Sequence, residues 1–192
     1  MRKQLISDRE LVNDYINGDE NSLRILINRH QAKLFSYILF LVKNRALAED
    51  IFQDSFVKIV NTLKSGKYHE EGKFYQWIVR ISRNLVIDHF RKSKKMTFVT
   101  DSEGNSLVED LKIYEENREE EIVKDETIRK LKIMIHKLPT EQKEVLILRH
   151  YANLSFKDIS DLTGVSINTS LGRMRYALIN LRRIIEKNNI DI

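Results

Sequence analysis

Apolar residues recur along this chain at steps of three and four, in blocks separated by glycine, proline or polar runs. That period predicts helices throughout. Ser7 stands three residues before Glu10, and Gly18 closes the block, so a short first helix is predicted between a capping box and a glycine stop. After Asp19, Leu23, Leu26, Ile27, Leu34, Ile38 and Leu41 keep helical spacing. A third helix is predicted from about Ala46 to Leu63, with Leu47, Ile51, Phe52, Phe56, Ile59, Val60 and Leu63 on its apolar side. The polar loop KSGKYHEEGK, bounded by Gly66 and Gly72, precedes a fourth helix from about Phe74 to Lys92. Its inward stripe is Phe74, Ile78, Ile81 and Leu85. These helices can bury one small core together.

Residues 93–114 lose the period, and TDSEGNSLVEDLK reads as a polar linker, with a short strand at Met96–Thr100 as a weaker reading. Helical pattern resumes near Glu115 and continues through Ile128, Leu131, Ile135 and Leu138. Pro139 breaks it and suits the first turn of the next helix, which holds Val145, Leu146 and Leu148. Ser155 and Asp158 then form a second capping box. The helix they start runs to about Thr163 and stops at Gly164; Ser166 can cap a last helix reaching about Lys187. Ile167, Leu171, Met174, Leu178, Leu181 and Ile185 are the apolar stripe that periodicity assigns to it. A short capped helix, a glycine turn and a long second helix outline a helix-turn-helix DNA reader. The expected fold is all-α: two small helical domains joined by an acidic linker.

Charge sharpens this division. Of 192 residues, 1–98 hold 18 Lys+Arg and 11 Asp+Glu, 99–126 hold 3 and 11, and 127–192 hold 12 and 6. Two basic blocks flank an acidic connector, as expected of a chain that meets a polyanion twice. The last helix carries Arg173, Arg175, Arg182, Arg183 and Lys187 against one acid, Glu186. The fourth sets Arg80, Arg83, Asn84 and Arg91 off its apolar stripe, with Tyr75 and Trp77 at its start. Rings beside cations suit single-stranded nucleic acid, because bases stack on rings while cations hold phosphates. The same rings fit a core role equally well by spacing. Glu49, Asp50, Gln53 and Asp54 make an acidic side on the third helix. DNA repels such a face, so it suits a solvated first turn or a basic protein partner.

Other chemistries find little support. The chain has no cysteine, which removes disulfides, thiolate metal sites and thiol catalysis and suits a reducing cytoplasm. His30, His69, His89, His136 and His150 show no metal-ligand spacing and read as surface or edge residues. There is no phosphate-binding glycine loop and no nucleophile elbow, so neither a cofactor nor catalysis is expected. No apolar run approaches a membrane span, and MRKQLISDRE lacks the apolar core of a signal peptide.

Three segments, in this order, resemble one family. AEDIFQDSFVKI (residues 48–59) and FYQWIVRISRNLVIDHFRKSKK (residues 74–95) are followed by LPTEQKEVLILRHY and SFKDISDLTGVSINTSLGRMRYALINLR. They resemble the bacterial RNA polymerase sigma factors of the extracytoplasmic-function (ECF) type, within the sigma-70 family. The resemblance implies a region 2-like domain over 1–95, an acidic linker over 96–124 and a region 4-like domain over 125–192. It implies that Glu49, Asp50, Phe52, Gln53 and Phe56 meet the clamp helices of core polymerase. It places Tyr75, Trp77, Arg80, Arg83, Asn84 and Arg91 on the melted −10 strand, with an extruded base held by the loop before that helix. Ser166, Asn168, Thr169, Leu171, Gly172, Arg173, Arg175 and Tyr176 fall on or near the −35 duplex. The family usually has Val at the place of Ser170 and a cation at the place of Leu171. Periodicity buries Leu171, whereas the resemblance turns it toward the groove, where it could meet a thymine methyl.

The implied protein is a promoter-specificity subunit in the cytoplasm, nucleoid-associated when active, that an anti-sigma protein can cover. The alternative is a stand-alone helix-turn-helix regulator with an N-terminal dimerisation or sensing domain. The charge blocks generate a prediction of their own: the acidic linker masks the basic domains when polymerase is absent. Replacing its acids with Gln and Ser is expected to raise the polymerase-free affinity for duplex DNA, read by polarisation of a labelled duplex. Unchanged affinity contradicts the masking.

Overall fold

The structure, a computed structural model, describes residues 6–69, 71–98 and 125–187. The expected linker from residue 99 onward, and the helix start expected near Glu115, lie outside them. The described residues form helices α1 (Asp8–Ile16), α2 (Glu20–Val42), α3 (Arg45–Lys64) and α4 (Phe74–Phe98). Helices α5 (Asp125–His136), α6 (Thr140–His150), α7 (Phe156–Thr163) and α8 (Ile167–Lys187) follow. α1–α4 belong to one compact unit and α5–α8 to a second, and no strand occurs among the described residues. α4 continues through Met96–Phe98, where a strand was the weaker expectation, and so outruns the expected end at Lys92.

Local chemistry fixes the helix ends. Ser7 Oγ accepts the Glu10 N–H at 3.2 Å, and the Glu10 carboxylate accepts the Ser7 N–H at 2.8 Å, which closes the capping box of α1. Asp19 caps α2 through the Asn21 N–H at 3.0 Å. The α2–α3 corner is made by Lys43, left-handed at φ 56°, and by Asn44, whose side chain accepts the Leu47 N–H at 2.9 Å. A non-glycine residue there gives up some stability to turn the chain within two residues. In the second unit Pro139 occupies the N-cap of α6 rather than its first turn.

In the first unit α2 packs on α1, α3 and α4. Leu11, Val12, Leu26, Leu34, Ile38, Ile59, Leu63 and Ile78 are fully buried. Buried Ser55 and Ser82 donate to the Ile51 and Ile78 carbonyls at 2.7 and 3.0 Å, so each small side chain is satisfied within its own helix. In the second unit α6 and α7 pack on α8 around Val145, Leu148, Leu154 and Ile159. Asn180 of α8 donates to Gln142 of α6 at 2.8 Å.

His30 departs from the surface or edge position its spacing indicated. It is 9% exposed, with Nε2 2.7 Å from the Asp8 carboxylate, which Arg29 also pairs. α1 is thereby pinned to α2 by a polar clamp. Burial holds the imidazole pKa below its usual value; it outweighs the upward pull of Asp8, and Arg29 and Lys33 add to the lowering. Above about pH 6.5 the ring is neutral folded and unfolded and contributes nothing to the pH dependence. Below it the unfolded chain takes up the proton first, so stability falls until the folded pKa is passed. The stability advantage of wild type over His30→Gln, from urea midpoints, is expected to shrink between pH 7.5 and 5. A constant or growing gap contradicts it.

Candidate nucleic-acid and partner interfaces

The acidic side of α3 stands clear of the core. Glu49, Asp50, Gln53 and Asp54 are exposed, on the side of the helix opposite Ala48, Ile51, Ser55 and Ile59. Glu49 pairs with Arg45 at 3.1 Å, but both are open to solvent and the pair is weak. Phe52 and Phe56 are half-buried, 4.8 Å apart, with Phe35 of α2 edge-on to Phe52 at 5.7 Å. The rings form a seat beside the carboxylates. Val57 extends the face and is 60% exposed. Periodicity missed Phe35 and Val57; the available signal was an apolar residue off each helix's stripe.

α4 separates its six expected contacts. Arg80, Asn84 and Arg91 are exposed and Arg83 is half-exposed, all turned away from Phe74, Ile78, Ser82 and Val86. Arg91 is engaged with Asp88 at 2.9 Å. Tyr75 is packed differently from the arginines. Its ring stacks on His30 at 4.9 Å and 23°, its hydroxyl is buried without a partner, and burial pushes its pKa up to about 12. It faces the α2 side and is no open platform for a base. Trp77 lies 4.3 Å from Tyr68 of the preceding loop and 5.8 Å from Phe74. Spacing did not reveal Tyr68, because a loop has no period.

The C-terminal unit builds the third face. Ser155 and Asp158 close the capping box of α7, and Gly164 ends it at φ 72° with its N–H on the Ser160 carbonyl. Ser166 then accepts the Thr169 N–H at 3.0 Å and opens α8. The seam of α8 keeps only Met174 and Leu181 of the stripe that periodicity assigned, with Ile185 half-buried beside it. Ser170, Ala177 and Leu181 are buried and Met174 and Ile184 half-buried, at steps of four, three, four and three. Ile167, Leu171 and Leu178 are 44%, 44% and 51% exposed. Small Ser170 and Ala177 take up little room where α8 packs, while Leu171 and Leu178 are left outside. Ser166, Asn168, Thr169, Leu171, Arg175 and Tyr176 are exposed, with Gly172 and Arg173 half-exposed. A Cβ built on Gly172 meets nothing within 4 Å, so no contact inside the chain requires a glycine there.

Two sequence families match these units in order. Residues 26–96 match the family model for sigma-70 region 2, and residues 128–171 match that for sigma-70, region 4. The chain belongs to the sigma-70 family. Its curated relatives include the RNA polymerase sigma-H factor of Pseudomonas aeruginosa, 26% identical over 94% of this chain and 92% of the relative. The RNA polymerase sigma factor YlaC of Bacillus subtilis is 29% identical over 82% and 90%, and the ECF RNA polymerase sigma factor SigW of the same organism 25% over 86% and 90%. Solved structures share the fold. CnrH in complex with the cytosolic domain of CnrY gives a TM-score of 0.66 at 19% identity, covering 94% of this chain and 97% of that one. RpoE with the anti-sigma factor NepR from Bartonella quintana gives 0.66 at 19%, covering 86% and 98%.

Within this sigma factor the region 4 match stops at residue 171, so most of α8 lies beyond it. Among the described residues no cluster of three metal-ligating side chains occurs, and no described helix is long and apolar enough to cross a membrane. Among the described residues of the C-terminal unit, one buried side-chain group lacks a partner. Ser170 Oγ is fully buried without a hydrogen bond. Ser170→Ala removes that unsatisfied hydroxyl and favours the helix. It is expected to stabilise the chain by about 1 kcal/mol, read from thermal or urea unfolding. Destabilisation contradicts it.

Proposed function

We propose that this chain directs bacterial RNA polymerase to promoters through three separate faces. On α3, Glu49, Asp50 and Gln53, with the Phe52–Phe56 seat, dock on the clamp helices of core polymerase. On α4, Arg80, Arg83, Asn84 and Arg91 hold the phosphates of the melted −10 strand, with Tyr75 and Trp77 behind them. On α8, Ser166, Asn168, Thr169, Leu171, Gly172, Arg173, Arg175 and Tyr176 meet the −35 duplex. The domains run over 1–95 and 125–192, joined by an acidic linker at 96–124 that threads a basic channel of the polymerase. The subunit binds and positions, and bond chemistry belongs to the polymerase. It works in the cytoplasm, on the nucleoid when active.

The observation that carries this reading is the sorting of charge by face. An exposed acidic side on α3 and an exposed basic side on α4 belong to one small unit, which suits one protein partner and one polyanion. A helix-turn-helix follows in the same chain, with a polar outer side at the start of α8. Exposed Leu171 supports a groove contact over a core role. An anti-sigma protein that covers α3 fits the same surfaces. Similar chains were solved with CnrY and with the anti-sigma factor NepR, which supports control of that kind here.

Run-off transcription with purified bacterial core polymerase on genomic DNA fragments tests the reading. Specific transcripts are expected only when this chain is added. Asp50→Ala is expected to weaken core binding roughly tenfold, as loss of an interface anchor does. Arg83→Ala is expected to lower transcript yield with core binding unchanged. Tight duplex binding by the chain alone, without core binding or transcripts, overturns the reading in favour of a stand-alone regulator.

A further inference from the structure

The loop between α3 and α4 turns on two glycines, Gly66 at φ 66° and Gly72 at φ 74°. Between them Lys67, His69 and Glu71 are exposed, and Tyr68 is half-buried. The Tyr68 ring lies 4.3 Å from Trp77, tilted 42°, and edge-on to Phe74 at 6.1 Å. Phe74 and Trp77 are one turn apart on α4, so they present one two-ring seat. Phe74 is 3% exposed and in turn contacts His30, itself clamped by Asp8. The seat is therefore fixed from behind by three helices. The Tyr68 ring ties the loop to this fixed point.

We infer that Tyr68 and Trp77 are a positioning pair, which presets the loop that receives the extruded −10 base, and that Trp77 acts through Tyr68 rather than by stacking on DNA. The inference rests on the −10 reading above. Each aromatic pair contributes about 0.5–1.5 kcal/mol beyond its buried area. Without the anchor the loop samples many arrangements, and binding the strand must order it. With the anchor, Tyr68 is already in place in the free protein. The two rings already face each other, which leaves less ring surface for a base than the sequence indicated.

The probe is the labelled non-template −10 strand of a promoter identified by run-off transcription, bound to holoenzyme and read by polarisation. Tyr68→Ala removes both ring pairings of the loop and is expected to weaken binding roughly tenfold. Tyr68→Phe keeps the ring and is expected to restore wild-type affinity. Trp77→Phe shortens the seat and is expected to give a smaller loss. Core binding through α3, measured on the same samples, reports that the unit is folded. The deciding arm is the double-mutant cycle. Trp77→Phe is expected to cost nothing further in the Tyr68→Ala background. Additive losses overturn the inference, because Trp77 then meets the DNA directly. Tyr68→Ala with wild-type strand affinity overturns it as well. If wild-type holoenzyme fails to bind the strand, the −10 reading itself falls.

Trp77 is the chain's single tryptophan, which gives a second readout on the full chain alone. Tyr68→Ala is expected to shift its emission to the red and Tyr68→Phe to leave it unchanged. An unshifted spectrum in Tyr68→Ala contradicts the pairing.

Discussion

Each helix of this protein has one side to give to a core, and which side packing takes decides what is left for partners. α8 shows the constraint most clearly. Two overlapping stripes share Met174 and Leu181 on it, one adding Ile167, Leu171 and Leu178 and one adding Ser170, Ala177 and Ile184. Burying the larger residues would gain more apolar area. Small residues leave room for neighbouring helices to approach, and close packing matters as well as apolar area. The unsatisfied Ser170 hydroxyl is a cost of that choice. Its return is a helix whose outward side starts with Asn168, Thr169, Leu171 and Gly172 and ends basic.

The N-terminal unit solves the same problem with aromatic rings. His30, Phe74, Tyr75, Tyr68 and Trp77 form a continuous contact chain from α2 through α4 into the loop. Asp8 ties α1 to it through His30 and Arg29. The rings give rigidity on the inner side of α4, and the arginines hold its outer side. A buried imidazole at this junction makes the rigidity sensitive to acid, because protonating it there carries a desolvation cost that Asp8 only partly offsets. α3 divides its labour similarly, with Ser55 and Ile59 inward, carboxylates outward and half-buried phenylalanines between.

Much of this was legible in the sequence, because helices announce themselves by period and by their ends. Both capping boxes, Gly164 as a stop and Ser166 as a cap were readable from residue type alone. The exposed acids of α3 and the polar side of α4 followed from stripes that packing kept inward, although on α4 it also buried Val79, Ser82 and Val86 and left Leu85 half-buried. The errors share one cause. Periodicity records where apolar residues lie and not how closely a neighbour can approach, so on α8 it placed Met174 and Leu181 inward correctly but also Ile167, Leu171 and Leu178, which are exposed. It could not see that Tyr75 turns toward His30, or that a loop tyrosine reaches Trp77, since both contacts join residues without a common period. Family resemblance set Leu171 outward before any packing was known, and there the exposed position agrees with it.

The central claim is that one chain reads two promoter elements through two units with different physics, duplex edges by α8 and a melted strand by α4 and its loop. Selection of promoters from a randomised pool by wild-type holoenzyme and by a Leu171→Arg variant tests it most directly. The account predicts two separated blocks of preferred bases, with the substitution changing preference only within the −35 block. A single contiguous block, or a substitution that alters the −10 block while leaving the −35 block untouched, would contradict it.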